Sequence, residues 1–122
     1  MIRCRLSDIN LVVPLLPYQE EYDAWSAFAY ALQVPDVYIL MPNDKSVILF
    51  IPCGEKEWDV HVVGTLQSVI EAGKWMFDNT DCEVLSWKPT GSVARWSKRI
   101  EGKLGAYEEN GKIYLRKTKC LQ

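Results

Sequence analysis

The sequence predicts an α/β fold whose elements follow the order β-α-β-β-β-α-β-α-β-β. Three observations carry that reading. Three strand-like runs succeed one another between residues 37 and 63, with tight turns between them. Three other stretches repeat apolar residues at helical spacing. Asn110-Gly111, flanked by two short runs, is the strongest short-range signal for a hairpin closed by a type I′ turn. The 122 residues read as a single domain spanning 1–122, on the usual prior of roughly 100–200 residues per domain. A chain of that length buries about two-thirds of its unfolded surface, enough for a core without metal or disulfide staples.

Residues 2–6 alternate apolar and polar, as a half-buried first strand does. Pro14 and Pro17 bracket a short apolar turn, expected to cross the sheet edge or pack as a loop. A helix is expected after Pro17. Glu20 and Glu21 suit the positive end of its dipole, and Tyr22, Trp25, Phe28, Ala29 and Leu32 share one face. Pro35 stops it. The strands 37–41, 46–51 and 58–63 follow, separated by Pro42-Asn43-Asp44-Lys45 and Pro52-Cys53-Gly54-Glu55. Three strands with tight turns make an antiparallel meander. Thr65 is the expected N-cap of a helix over 66–78, with Leu66, Val69, Ile70, Gly73 and Phe77 turned inward. Residues 82–87 form the next strand. Ser92 caps a helix over 93–104, and strands 106–109 and 112–116 close the chain as a hairpin.

Composition narrows the function classes. Five Trp and six Tyr exceed what a bare core requires, which points to a ligand cleft or a partner surface. A net charge of −2 gives no global field toward nucleic acid. Lys88, Arg95, Lys98, Arg99 and Lys103 crowd the stretch 88–103, and Arg116, Lys117 and Lys119 follow. They read as a solvated face and tail, or else a site for a phosphate-bearing ligand or an acidic partner. With Trp87 and Trp96 the stretch is also a candidate stacking-and-charge surface for nucleic acid. Cys4, Cys53, Cys82 and Cys120 are widely spread with no CxxC pair, and there is one histidine, so no zinc set of the usual spacing can be assembled. Free thiols in a reducing compartment are the simplest account. Arg3, Arg5 and Asp8 interrupt the start, so neither a signal peptide nor a membrane segment is expected, and the expected location is a cytoplasm.

Several phrases carry a resemblance. The strand WDVHVV leads into Gly64-Thr65 and a helix; CEVLSWKP follows; then TGSVARWSKRIEGKLGAYEE leads to the closing hairpin. In this order, over residues 58–116, the chain resembles the GNAT (GCN5-related N-acetyltransferase) superfamily. That implies a mixed, mostly antiparallel sheet with helices on both faces. It also implies that acyl-CoA would be held through its pyrophosphate at the turn into the helix, by Val62, Val63, Gly64, Thr65 and Ser68. More narrowly, Val60-His61, Trp75-Met76-Phe77-Asp78-Asn79-Thr80 and Pro89 resemble phrases of small GNAT-like bacteriophage proteins. Some of these are head-assembly or internal virion components.

The departures from the family pattern fall where cofactor binding is concerned. Active members usually show Arg/Gln-x-x-Gly-x-Gly/Ala across the turn, whereas Val63-Gly64-Thr65-Leu66-Gln67-Ser68 has one glycine and no basic residue. Leu66 and Gln67 are expected to obstruct a pyrophosphate there. The leading expectation is therefore a non-catalytic phage protein, a structural or assembly module of the virion in an infected host, with other virion proteins as partners and no cofactor. The alternative is an acetyl-CoA-dependent N-acetyltransferase. In it His61 deprotonates the amine and Tyr107 or Tyr114 protonates the leaving thiolate. Glu57 and Asp59, which flank Trp58, are candidates to orient an amine, or else solvent-facing strand residues. Cys53, in a turn, is the expected exposed thiol and has no base beside it in sequence. Acceptor, oligomeric state and partner identity are not written in the residues.

Overall fold

The computed structural model describes residues 1–15, 33–34, 36–89 and 105–117. The helices expected after Pro17 and over 93–104 lie outside these residues. So do Trp96, Cys120 and all of the basic run except Lys88. The chain divides into two compact units, Met1–Ile51 with His61–Ala72, and Pro52–Val60 with Gly73–Gln122. Its strands are β1 (Ile2–Arg3), β2 (Tyr38–Asn43), β3 (Ser46–Gly54), β4 (Glu57–Val63), β5 (Val84–Trp87), β6 (Tyr107–Glu109) and β7 (Lys112–Arg116). β3 and β4 run through both units. The first unit has the order β1-β2-β3-β4 and the second β3-β4-β5-β7-β6. β1/β2, β2/β3, β5/β7 and β6/β7 pair antiparallel, and β4/β5 pair parallel. A parallel pair needs a crossover, and the helix between β4 and β5 supplies it. The pairing is mixed and mostly antiparallel, as expected.

In the first unit Cys4, Val12, Ile39, Met41, Val47 and Leu49 form the core, with Leu15, Val37, Ile51 and Val63 packed against it. The first strand is shorter than expected. Asp8 accepts the Arg5 N–H at 2.9 Å, and its own N–H donates to the Arg5 carbonyl at 2.8 Å, which turns the chain after two strand residues. The apolar stretch that follows is not a loop. It winds through 3-10 turns at Leu6–Asp8 and Val13–Leu15 on either side of α1 (Ile9–Val12). Arg3 places its guanidinium 4.0 Å over the Tyr38 ring across the β1/β2 pair. β2 reaches Asn43, past the expected turn at Pro42, and its register with β3 shifts between Leu40 and Asn43. A proline has no N–H for the ladder, and an irregularity is how a strand absorbs it.

In the second unit the registers sort side chains onto two faces. Trp58 pairs with Leu85, Leu85 with Leu115, and Trp87 with Ile113, and all five are buried. Trp87 is therefore core, 4% exposed, and not part of a stacking surface for nucleic acid. The other face carries Glu57, Asp59, Ser86, Tyr114, Lys112 and Tyr107. The turn after β3 also comes later than expected. β3 continues through Cys53 and Gly54, and the chain reverses at Glu55-Lys56 with Lys56 at φ 55°. The closing hairpin has Asn110 at φ 52° and Gly111 at φ 79°, the pair of positive values a type I′ turn requires.

The helix α2 (Leu66–Asn79) lies where the 3.6-residue period put it. Thr65 caps it: the Ser68 N–H donates to Thr65 Oγ1 at 3.2 Å. At the other end the Thr80 hydroxyl donates to the Met76 carbonyl and accepts the Cys82 N–H at 3.0 Å, so one side chain ends the helix and starts the next segment. The inner face is rotated from the expected stripe. Ser68, Val69, Ala72, Gly73, Met76 and Phe77 are buried, whereas Leu66 and Ile70 are half-buried. A serine on the inner face is invisible to an apolar count, and its burial depends on the partners described next.

Candidate functional site

The strand-to-helix turn is built on two features of the first unit. Gly64 has φ 143°, a conformation L side chains rarely adopt. A Cβ at that position would also lie 2.6 Å from Ser46 Cβ and 3.1 Å from Ser46 Cα. Glycine is thus required twice, once by the backbone angle and once by the β3 serine against it. Beyond it Thr65 is exposed and closes the first turn of α2.

Beneath the turn lies a small hydroxyl network. Ser68 Oγ donates to Ser46 Oγ at 2.9 Å, accepts Asn43 Nδ2–H at 3.0 Å, and lies 3.0 Å from Thr65 Oγ1. A hydroxyl has one proton and two lone pairs. With the proton committed to Ser46, the Thr65 hydroxyl must be the donor in the third contact. The orientation of the Asn43 amide is set as well, because its Oδ1 accepts the Lys45 N–H at 2.9 Å. Ser46 and Ser68 are 1% and 2% exposed, and no buried side-chain oxygen or nitrogen among the described residues lacks a partner. The Ser68 side chain is therefore spent inward. What the turn offers outward is backbone, since the leading N–H groups of a helix have no partner within it.

Backbone N–H groups at the positive end of a 14-residue helix can receive an anion. Gln67, expected to obstruct such a group, donates from Nε2 to Glu71 Oε1 at 3.5 Å, which lays its side chain back along the helix. Val62 and Val63 are half-buried at the end of β4. The β4/β5 ladder runs from Glu57↔Val84 to Asp59↔Ser86, while β4 itself continues to Val63.

His61 is exposed on β4 in the first unit. Tyr107 and Tyr114 belong to the second, where their rings stack at 5.5 Å and Arg116 Nε donates to Tyr107 Oη at 3.2 Å. The two tyrosines named as candidate acids are thus brought together. Asp59 forms an ion pair with Lys112 at 3.6 Å. Glu57 lies on the same face of β4, within a cluster that sequence spacing could not show. Cys53 Sγ lies 3.0 Å from Glu57 Oε2 and 3.8 Å from Ser86 Oγ, and Ser86 donates to Glu57 Oε2 at 3.3 Å. Cys53 is exposed as expected, yet its sulfur is turned onto these partners. Burial, followed by the hydrogen-bonded Glu57 carboxylate, holds its thiol up to about 11. Burial likewise raises Cys4 to about 11 and Cys82 to about 12. These are protonated, weakly nucleophilic thiols at neutral pH. Among the described residues no group of three or more His, Cys, Asp or Glu could hold a metal ion, and no helix is long and apolar enough to cross a membrane.

Asn43 and Ser46 were not foreseen as part of the turn. They are separated from Ser68 by 25 and 22 residues, and only the β2–β3 hairpin brings them there.

No family model matches the sequence, and no curated protein matches it. Solved structures do. The chain is similar to a mutant of the spermidine N-acetyltransferase SpeG from Vibrio cholerae, with TM-score 0.63 and 12% identity, covering 99% of this chain and 96% of that one. It is also similar to a chimera of SpeG from Vibrio cholerae and hSSAT, with TM-score 0.61 and 12% identity over 98% of each chain. A third likeness, to SpeG carrying glutamate-to-glutamine mutations, has TM-score 0.62 and 10% identity, covering 98% of this chain and 95% of that one. At such identities the likeness is one of fold.

Proposed function

We propose that this chain is an acyl-CoA-dependent N-acyltransferase. The observation that carries the reading is the likeness to N-acetyltransferase structures, which spans nearly the whole length of both chains. The capped turn from Gly64 into α2 supports it by offering backbone donors where such a fold would hold a pyrophosphate. In this reading Val62, Val63, Gly64 and Thr65 border the cofactor, and the N–H groups of the first turn face its phosphates. An acyl-CoA supplies an acyl thioester. His61 takes the proton from the attacking amine, directly or through water, and Tyr107 or Tyr114 gives a proton to the departing sulfur. The C–N bond forms as the C–S bond breaks, leaving an amide and a free thiol. Polyamines are the first acceptors to try, because spermidine is named for the similar structures.

A second reading is favoured by one observation. The turn has a single glycine packed against Ser46 and no basic residue between 63 and 68. A GNAT-like scaffold that has given up catalysis, serving as an assembly module among virion proteins in a host cytoplasm, would tolerate such a turn.

Calorimetric titration with acetyl-CoA, paired with thiol release in the presence of spermidine and other amines, separates the two. The acyltransferase reading expects saturable micromolar binding and acceptor-dependent thiol release that His61→Ala greatly slows. No heat at millimolar acetyl-CoA overturns it in favour of the scaffold.

A further inference from the structure

The turn of this chain lacks the extra glycines and the basic residue that would let a loop mould itself around a phosphate. A donor array that cannot adapt must be held in place beforehand, because a ligand then has less ordering to offset. The first unit contains a device suited to that task, and it comes from a different part of the chain. At the tip of the β2–β3 hairpin, Asn43 spends its two amide atoms in opposite directions. Oδ1 accepts Lys45 N–H at 2.9 Å, which fixes the hairpin turn, and Nδ2 donates to Ser68 Oγ at 3.0 Å. Three residues on, Ser46 accepts the Ser68 proton at 2.9 Å, and its own Cα and Cβ stand against Gly64. Ser68 in turn meets Thr65 through both its hydroxyl and its N–H. Gly64, Thr65 and Ser68 are therefore each fixed by a direct contact or by one intermediary to the hairpin tip.

We infer that Asn43 and Ser46 are positioning residues for the leading N–H groups of α2, holding them in the geometry that receives the phosphates of an acyl-CoA. The inference rests on the acyltransferase reading. Neither side chain touches the ligand in this account. Asn43 acts through Ser68 and Thr65, and Ser46 acts through Ser68 and through its contact with Gly64. The proton directions make the arrangement one-way. Ser68 Oγ has its proton on Ser46 and both lone pairs filled by Asn43 and Thr65, so the Thr65 hydroxyl points inward and cannot swing out to compete with the backbone donors. Removing Asn43 Nδ2 or Ser46 Oγ frees one valence of Ser68, and the cap can then reorient. A hydroxyl network loses its uniqueness when one member is taken out.

The test compares the parent protein with Asn43→Ala and Ser46→Ala. Asn43 is exposed, so Asn43→Ala leaves the core intact even if the buried Ser46→Ala proves hard to fold. Acetyl-CoA affinity is read by calorimetry, and exchange of the bonded Ser68 and Val69 amides by NMR, with the Lys117 amide, bonded to Glu83, as an internal control. Kinetics with a working amine supply the KM for acetyl-CoA and kcat separately. The expected result is a Kd and a KM for acetyl-CoA raised about tenfold, a change of the size one net hydrogen bond produces. Exchange at Ser68 and Val69 should be faster, that at Lys117 unchanged, and kcat at saturating acetyl-CoA held. A role in stability alone would lower the unfolding midpoint without splitting KM from kcat. Variants that bind acetyl-CoA within twofold of a binding-competent parent overturn the positioning role and leave the acyltransferase reading standing. A parent that does not bind acetyl-CoA overturns both.

Discussion

Among the described residues each unit has a small polar cluster built on buried serine, Ser46 and Ser68 in the first and Ser86 in the second, and the two are made from different chemistry. In the first, Asn43, Ser46, Thr65 and Ser68 are all neutral, and every contact in the cluster joins a hydroxyl to a hydroxyl, an amide or a backbone group. In the second, Cys53 and Ser86 converge on the Glu57 carboxylate. The neutral cluster is closely packed, with a β3 serine filling the space beside a glycine that has no Cβ. The charged cluster reaches an exposed cysteine and sits on the polar face of β4 and β5. The difference teaches where each is vulnerable. The first has no ionising group, so it should be sensitive to volume and indifferent to pH. The second should tolerate small changes of shape and respond to protonation.

The largest expected effect comes from adding one carbon to the first cluster. Gly64→Ala places a Cβ 2.6 Å from Ser46 Cβ, on a backbone at φ 143°. The backbone angle costs of order 1–3 kcal/mol for a non-glycine residue, and overpacking a similar amount. A total loss of roughly 3 kcal/mol or more in urea unfolding is expected. Combining it with Ser46→Gly sharpens the comparison. That change removes Ser46 Oγ and Cβ and leaves only Cα at 3.1 Å, so the packing share should return and the backbone share should not. Ser46→Gly alone gives the cost of losing the Ser68 acceptor, and a coupling near zero between the two changes would show that Ser46 is not what the new Cβ meets.

Gly111→Ala is the matched control, expected to cost less. Gly111 is also at positive φ, 79°, but nothing lies within 4 Å of where its Cβ would be. Only the left-handed backbone penalty remains, about 1–2 kcal/mol. If the two alanine variants lost equal stability by the same urea measurement, backbone angle alone would account for both glycines.

These two glycines also mark how far the sequence could be read. Asn110-Gly111 is legible because a type I′ turn is a local affair: two adjacent residues, both at positive φ, between two short strands. Thr65 as a cap is legible for the same reason, since its partner is three residues away. The alternation in β4 and the period of α2 placed those elements to within a residue or so. What could not be read is non-local. Ser68 looks like a poor inner-face residue until Asn43 and Ser46 arrive from the β2–β3 hairpin to satisfy it, and that contact rotates the buried stripe of α2 away from Leu66 and Ile70. Cys53 looks like a turn thiol until β3 is seen to continue past Pro52 and align it with Glu57 on β4 and Ser86 on β5. Pro and Gly were read as punctuation in both hairpins, yet each strand ran on beyond its proline.

Truncation of the charged cluster should cost less than either glycine change. Ser86→Ala takes one hydrogen-bond donor from Glu57, whose residue is half-buried and open to replacement by water. A loss of about 1 kcal/mol by urea unfolding is expected, near the net worth of a single side-chain hydrogen bond. A loss as large as that from Gly64→Ala would mean that the second cluster is as closely packed as the first.

The smallest effect, because Cys53 is exposed and solvent screens its interactions, is a pH dependence that of the two clusters only the second should show. The Cys53 thiol is held near 11, against an ordinary 9.0, by burial of its sulfur and by the adjacent Glu57 carboxylate. Between those two values the unfolded chain releases the proton while the folded chain keeps it, so the unfolded state binds fewer protons. Stability contributed by this thiol is then complete below pH 9 and falls as pH rises toward 11. Cys4 and Cys82 titrate in the same direction, so the Cys53 share must be taken as the difference between the parent and Cys53→Ser, which keeps a donor toward Glu57 and loses the titration. The gap between the two unfolding curves should change across pH 9–11 and stay constant below it. Alkylation of Cys53 by iodoacetamide should follow the same pH dependence, slow at pH 8 and rising toward 11, because the thiolate is the reacting species. Rapid alkylation at pH 8 would mean that the Glu57 carboxylate does not hold the proton on Cys53, and the contrast between a neutral cluster and a titrating one would then fail at its second member.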